Sequence, residues 1–551
     1  MLHRFAFILT AAIAALSAQD DPAARIDDIF KPWNKPGTPG AAVAVIRDGK
    51  LVFQKGYGIA NLEYDVPISP GTIFHVASVS KQFTAMALVL LEQEGKLSLE
   101  DDIRKYLTEL PDYGHKIAIR NLLQHTSGIR DQWQTLSLAG WRMDDVITQK
   151  QILRMLFHQK ELNFEPGTRH LYSNGGYTLA AEIVARVSGK PLPEFCDERI
   201  FRPLGMTHTH FHDDHRRIVR DRAYSYEKTG DGFRASPLNY ANAGATSLFT
   251  TAPDLVKWLD NFRDPKVGGP KGIARLQEQA LLTDGEKVDY ALGLGIGKFR
   301  GLRTISHGGA DAGYRSYVVW FPDQLLGVAV VSNLATFNTG GIANRVAEVY
   351  LEKTMTAAPA PPRPVARQYI KVDPATLDQY AGSYLLSDIG LVTIQVKDGK
   401  LMGAPQGQPS VELKPIAPAR FYVEQLNSRV EFASQAGGKM RMRLWGPGML
   451  GEGERVTVVP FDAKDLAQYP GTYWSDELET QYTIVVKDGE LVADHAHHGE
   501  IALTPVSKDQ FRGAAFFMQE VTFMRDGGGR ITGMTVGGGR VTAIRFARLY
   551  H

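Results

Sequence analysis

The chain has almost no cysteine. Cys196 is the only one in 551 residues, which excludes an intrachain disulfide and a cysteine-built zinc site. The fold must therefore be held by its cores. Cys196 lies in a helix-like stretch, Leu192-Pro-Glu-Phe-Cys-Asp-Glu-Arg-Ile-Phe201, and is assigned to packing. An excess of charge is also missing, with 62 Lys and Arg set against 60 Asp and Glu. That removes the electrostatic reason to expect nucleic acid or anionic membrane as a partner. There is no Walker loop, no clear Gly-x-Gly-x-x-Gly after a strand and no basic stripe, so neither nucleotide nor nucleic acid is supported. No cofactor is expected. Long apolar runs are absent except at the N terminus, where residues 5–16 follow His3 and Arg4 and precede the small residues Ser17 and Ala18. That is the layout of a secretory signal peptide over residues 1–18, too short to span a bilayer comfortably. The expected mature protein is exported, periplasmic or extracellular, with no stable membrane span; an uncleaved anchor is the alternative.

What is present reads as an ordinary globular chain, 44% hydrophobic and 22% charged, long enough for two to four domains. Residues 22–356 carry every candidate catalytic segment. A Pro-rich linker, stiff and extended, occupies 357–371. An internal repeat follows. Leu377-Asp-Gln-Tyr380-Ala-Gly382-Ser-Tyr384 answers Leu466-Ala-Gln-Tyr469-Pro-Gly471-Thr-Tyr473, and each copy continues into alternating apolar residues around an Asp-Gly turn, at Asp398-Gly399 and Asp488-Gly489. Asp-Gly between alternating strands is a strong hairpin signal. Later strands are expected at 420–432 and 440–444 in the first copy, and at 511–524 and 541–549 in the second. Each copy is the size of a small antiparallel β-barrel, which leaves no free edge, giving modules at 372–460 and 461–551.

The region before the linker is mixed. Strands at 41–46 and 50–56 meet at Asp48-Gly49. A helix spans 80–94, where Phe83, Ala87, Leu90 and Leu91 recur at helical spacing and Gly95 follows as a cap. Further helices are expected at 149–158, 176–188, 191–199, 252–263 and 342–353, and strands at 303–306, 315–321 and 326–332. Strands at both ends with helices between them give an α+β fold: one antiparallel sheet flanked by helices, with a helical lobe and the active site between the two.

The chemistry lies in Ala77-Ser78-Val-Ser-Lys81. Residues three apart share a helix face, so Lys81 can take the proton of Ser78 and activate a weak nucleophile. The amine is a base only when neutral, which needs burial or nearby positive charge. Two later segments match. Tyr172-Ser-Asn174 offers a phenol to share the proton transfer and an amide that can face a substrate carbonyl and hold Lys81. His307-Gly308-Gly309 places a substrate beside a strand whose N–H near Ala310 can serve as an oxyanion donor. Trp133 is a candidate for lining the cleft, and an exposed aromatic is the competing reading. His125 is read as a loop buttress. His208, His210, His212 and His215, like His495, His497 and His498, invite a metal reading, but no pattern of supporting groups accompanies them and no metal is assigned.

The ordered set Ser78-x-x-Lys81, Tyr172-x-Asn174 and His307-x-Gly309 resembles the serine β-lactamase and penicillin-binding-protein superfamily, in its class C-like branch of DD-carboxypeptidases, D-aminopeptidases and esterases. The resemblance covers about residues 25–350. It extends to Leu122-Leu-Gln-His125-Thr-Ser-Gly128, Phe164-Glu-Pro-Gly167 and Pro203-Leu-Gly-Met206. It implies a β-lactamase/DD-peptidase-like fold, Ser78 as the acylated nucleophile, and Lys81 with Tyr172 as the acid–base pair. Asn174, His307, Gly309, Ala310 and Trp133 are the candidates for binding substrate. His307 departs from the Lys-Thr-Gly of class C β-lactamases and is a feature of D-aminopeptidase-like and esterase-like members. The C-terminal repeats resemble the lipocalin-like modules attached to D-aminopeptidases. The expected partner is a small peptide or ester, and the preferred substrates are peptides containing D-amino acids. An esterase, a weak β-lactamase and a sensor acylated without turnover stand as alternatives, and the oligomeric state is open.

Overall fold

The computed structural model describes residues 21–356, 369–386, 389–405, 408–435, 439–446, 449–456 and 463–550. The stretch 1–18, read as a signal peptide, lies outside them, as does most of the expected linker. The chain divides into two compact units. One comprises residues up to 133 together with 143–358; the other comprises 134–142 together with 359–551.

The first unit is built on a six-stranded antiparallel sheet. Its order is Gly295–Phe299, Leu302–Asp311, Tyr314–Phe321, Leu326–Ser332, Ala41–Arg47, Lys50–Tyr57. Strands from the two ends of the unit thus meet in the middle, where Ala41 pairs with Ser332 and Arg47 with Leu326. Ala41–Arg47 is buried at every position but the last, as an apolar strand covered on both faces must be. Helices Pro22–Phe30 and Thr339–Leu351 contribute Ile26, Phe30, Ile342 and Val346 to a core against Val43, Val45, Val328 and Val330. The Asp48-Gly49 turn takes positive φ at both residues, 50° and 77°, the geometry that matches strand twist in a two-residue hairpin.

The helical lobe centres on Lys81–Gln93, which is buried on all sides from Lys81 to Leu91. A helix this apolar can only be internal. Its few polar groups find partners: Trp258 Nε1 donates to Gln82 Oε1 at 2.8 Å, and Thr84 Oγ1 donates to the Gly244 carbonyl at 2.8 Å. Asn174–Ser188 packs alongside, capped by the Ser173 side chain at one end and by Gly189, φ 74°, at the other. Cys196 is fully buried, its thiol pushed up by desolvation, in keeping with packing. The expected α+β architecture is therefore the observed one.

In the second unit the two repeats form two closed, eight-stranded, up-and-down barrels. The first runs from Gly382–Leu386 to Met449–Val456 and the second from Gly471–Ser475 to Val541–Leu549. The repeat is legible down to single bonds. Tyr384 Oη donates to the Tyr380 carbonyl at 2.9 Å, and Tyr473 Oη donates to the Tyr469 carbonyl at 2.7 Å. Two expected strands are corrected. The stretch 420–432 is two strands, Arg420–Val423 and Ser428–Ser434, because Glu424–Leu426 forms a 3₁₀ turn closed by Asn427 at φ 47°. Likewise 511–524 divides into Gln510–Gly513 and Glu520–Arg525. A continuous apolar pattern hid both breaks.

Residues 134–142 join the core of the second barrel. Leu138 is fully buried there, and its carbonyl accepts from Tyr482 Oη at 2.9 Å. His498 Nε2 lies 2.7 Å from the Ser137 carbonyl and His497 Nδ1 lies 3.1 Å from the Gly140 carbonyl. His495 Nε2 pairs with Thr480 Oγ1 at 2.8 Å. These histidines are engaged in holding this segment and the barrel wall.

Candidate active site

Ser78 sits in a single 3₁₀ turn, Ala77–Ser80, that leads into the buried helix. The turn, and not the first α-helical residue, carries it. Between residues 72 and 91, Ser78 alone is partly exposed. Ala77 is held at φ 47°, a region that alanine rarely visits and that costs of order 1–3 kcal/mol. The surroundings over-determine it. Ser316 Oγ donates to the Val76 carbonyl at 2.7 Å, Ser80 Oγ donates to the Ala77 carbonyl at 2.5 Å, and Ser80 Oγ accepts from Leu248 N at 3.0 Å.

Lys81 Nζ, with no exposed surface, is 3.0 Å from Ser78 Oγ, 2.8 Å from Asn174 Oδ1 and 2.7 Å from the Ala245 carbonyl. Two of those three partners are pure acceptors. A neutral amine has two hydrogens for them and one lone pair left for the Ser78 hydroxyl. The orientation of Asn174 is fixed, because its backbone N and its Nδ2 both donate to Asp131 Oδ2, at 2.9 and 2.7 Å. The Oδ1 must then face Lys81. Tyr172 lies across the same amine, with Lys81 Nζ 4.9 Å from the centre of its ring.

His307 stands on Leu302–Asp311, which pairs with Tyr314–Phe321 along one edge. On the other edge the partner strand ends opposite Ser306, so residues 307–311 have no strand there and run past the Ala77–Ser80 turn. Gly309 is required by that approach: a Cβ would come within 2.3 Å of the Val76 carbonyl. Ala310 is exposed.

A hydrogen-bond chain sets the state of His307. Ser173 N donates to His125 Nδ1 at 3.1 Å, which leaves the proton of His125 on Nε2. His125 Nε2 is 3.2 Å from Tyr290 Oη, and Tyr290 Oη is 2.9 Å from His307 Nε2. With His125 donating, Tyr290 passes its own hydrogen to His307 Nε2. The His307 proton then rests on Nδ1, 2.6 Å from the Gly308 carbonyl. Burial holds His307 down to about 4, against the pull of that carbonyl. At neutral pH it is an uncharged imidazole.

The motif residues Ser78, Lys81, Tyr172, Asn174 and His307 are thus brought together, with Gly309 against the Ala77–Ser80 turn. Trp133 is partly buried, its ring 4.6 Å from that of Tyr240 and its backbone N–H donating to Asp131 Oδ1 at 3.1 Å. His125 buttresses the Tyr172 loop, its ring 4.0 Å from that of Tyr172. Asp131, Ala245 and Tyr290 were not singled out by the sequence. They lie far along the chain from their partners and belong to no short motif. His210 and His212 pack on Phe249, and burial lowers both to about 4. Among the described residues no cluster of three or more His, Cys, Asp or Glu is placed to hold a metal, and no helix is long and apolar enough to cross a membrane.

Comparison with known proteins gives a consistent picture. The family model Beta-lactamase matches residues 20–351. A D-aminopeptidase of Brucella anthropi is 27% identical over 540 residues, spanning 94% of this chain and 96% of the relative. Among solved structures, a D-amino acid amidase from Ochrobactrum anthropi SV3, complexed with L-phenylalanine amide, is 26% identical with a TM-score of 0.52, over 61% of this chain and 99% of that one. The octameric penicillin-binding protein homologue from Pyrococcus abyssi shares the fold at 23% identity and a TM-score of 0.56, over 78% of this chain and 98% of that one.

Proposed function

The chain belongs to the Beta-lactamase family and is a serine hydrolase of its D-aminopeptidase-like branch, and from that premise we propose that Ser78 is acylated by small amides and peptides bearing an N-terminal D-amino acid. In the first step Ser78 Oγ attacks the scissile carbonyl while Lys81 Nζ takes the hydroxyl proton. The N–H groups of Ser78 and Ala310 receive the developing oxyanion. The C–N bond then breaks, and the proton held by Lys81 passes through Tyr172 to the leaving amine. Water attacks the ester under the same pair and returns the proton to Ser78.

The observation that carries this reading is the setting of the buried His307, its Nε2 2.9 Å from Tyr290 Oη and its Nδ1 2.6 Å from the Gly308 carbonyl. A lysine in that place would be a permanent cation suited to a substrate carboxylate. An imidazole held uncharged by burial, with both nitrogens already engaged, offers a carboxylate no ion pair. That disfavours DD-carboxypeptide and β-lactam substrates, which carry one, and leaves amides and esters that lack it. The relatives named D-aminopeptidase and D-amino acid amidase support the amide choice over the ester.

The test is a hydrolysis screen of D-aminoacyl amides, L-aminoacyl amides, D-Ala-D-Ala peptides, nitrophenyl esters and a chromogenic cephalosporin. The expected result is the highest kcat/KM on D-aminoacyl amides with repeated turnover. A preference for esters, or for the cephalosporin, would replace the reading with one of the alternatives. A single stoichiometric burst without turnover would point to a sensor. The chain is also read as exported and cleaved near residues 17–19, which N-terminal sequencing of the secreted protein checks.

A further inference from the structure

One carboxylate close to the site, its side chain 15% exposed, has no part in the chemistry above. Asp311 is the last residue of the strand that carries His307 and directly follows Ala310. Its Oδ2 accepts from His75 Nε2 at 2.9 Å and from the Thr246 hydroxyl. Thr246 Oγ1 is also 3.1 Å from His75 Nε2. His75 is fully buried, and its Nδ1 has no partner. Burial by itself would raise the Asp311 carboxyl; the bonds from His75 and Thr246 outweigh it and hold the carboxyl below its usual range.

Each donor sits next to an atom the reaction needs. His75 lies three residues before Ser78, on the short strand Phe74–His75 that feeds the strained Ala77. Thr246 follows Ala245, whose carbonyl accepts from Lys81. Asp311 itself ends the segment with the Ala310 N–H. The carboxylate therefore joins the segments that carry the nucleophile, the acceptor of the base and the oxyanion donor.

We propose that Asp311 is a positioning residue for acyl transfer, holding Ser78, the Lys81 acceptor Ala245 and the Ala310 edge in mutual register through His75 and Thr246. The inference rests on the acyl-transfer reading above. Misplacement of reacting groups by about 1 Å costs on the order of 10²-fold in rate, which sets the size of the expected effect.

The experiment compares Asp311→Asn and Thr246→Val with the unaltered full-length chain. It follows the rate of Ser78 labelling by a fluorophosphonate and the kcat and KM for a D-aminoacyl amide and for nitrophenyl acetate. Asp311→Asn is expected to slow labelling by about 10²-fold and to lower kcat on both substrates alike, with KM within about twofold. Thr246→Val removes one bond and is expected to slow labelling by about 10-fold. Unchanged labelling in both variants overturns the proposal. So does a loss confined to KM for the D-aminoacyl amide, since that would make Asp311 a contact for the substrate ammonium. If Asp311→Asn fails to fold, an unchanged labelling rate in Thr246→Val overturns the proposal by itself. Failure of the underlying reading looks different: the unaltered chain would not be labelled at Ser78.

Discussion

Replacing Tyr290 with Phe should be among the most damaging single-atom changes in the catalytic unit. The Tyr290 hydroxyl bridges His125 Nε2 at 3.2 Å and His307 Nε2 at 2.9 Å. His125 and His307 are 1% and 9% exposed. Losing the bridge leaves the buried Nε2 acceptor of His307 without its donor. At about 1–3 kcal/mol for such a group, the expected loss of stability is about 1–3 kcal/mol. His307 also loses the donor that holds its Nε2 lone pair, so protonation becomes easier and kcat/KM should fall more steeply on the acid side. The assay is urea unfolding followed by loss of activity, with pH–rate profiles of both proteins. Tyr64→Phe serves as control, since Tyr64 is exposed and should change stability by less than about 0.5 kcal/mol. If Tyr290→Phe also falls within about 0.5 kcal/mol and keeps the pH profile, the hydrogen-bond chain does not set the state of His307.

Lys81→Ala and Tyr172→Phe should each slow Ser78 acylation strongly, and the double variant should lose less than the product of the two, because one proton-transfer unit is removed once; multiplicative losses in stopped-flow acylation would count against a shared unit. Gly309→Ala should abolish acylation and destabilise the unit, since the new Cβ would lie 2.3 Å from the Val76 carbonyl; normal activity in a folded variant would show that the nucleophile turn tolerates displacement. His307 sits near 4 in the folded protein and near 6.5 in the unfolded chain. The unfolded state therefore binds the extra proton first, and stability present above about pH 6.5 drains away as pH falls to about 4, by about 3 kcal/mol at the end of that window. His307→Gln should flatten that part of the stability profile in urea titrations, and an unchanged profile would mean that other groups carry it.

The parts of this molecule that could be read along the chain are those fixed by local chemistry. Asp48-Gly49, Asp398-Gly399 and Asp488-Gly489 all take the positive φ that a two-residue hairpin needs. The apolar face of 81–91 had no solvent-facing side to offer, and the helix is buried throughout. Ser78, Lys81, Tyr172, Asn174 and His307 were singled out because their motifs are short and ordered, and the structure gathers them. The groups that went unread act across distance. Asp131 reaches Asn174 across 43 residues, Ala245 reaches Lys81 across 164, and Asp311 reaches His75 across 236. No local pattern encodes such a pairing; it exists only once sheet and lobe have packed. The breaks at 424–427 and 514–519 were missed for a related reason. Apolar residues on both sides of a turn point into one barrel, and the pattern reads as a single strand.

The central claim is that Ser78 is the residue acylated. Intact-mass and peptide mapping after exposure to a fluorophosphonate test it most directly, on the full chain and on Ser78→Ala of verified fold. One label per chain is expected, on the peptide holding Ser78, and none on the variant. Removing the hydroxyl should cost the fold at most about 1–2 kcal/mol, so loss of labelling would not reflect unfolding. Labelling of Ser78→Ala at the wild-type stoichiometry, or a label mapped elsewhere on the unaltered chain, would contradict the assignment.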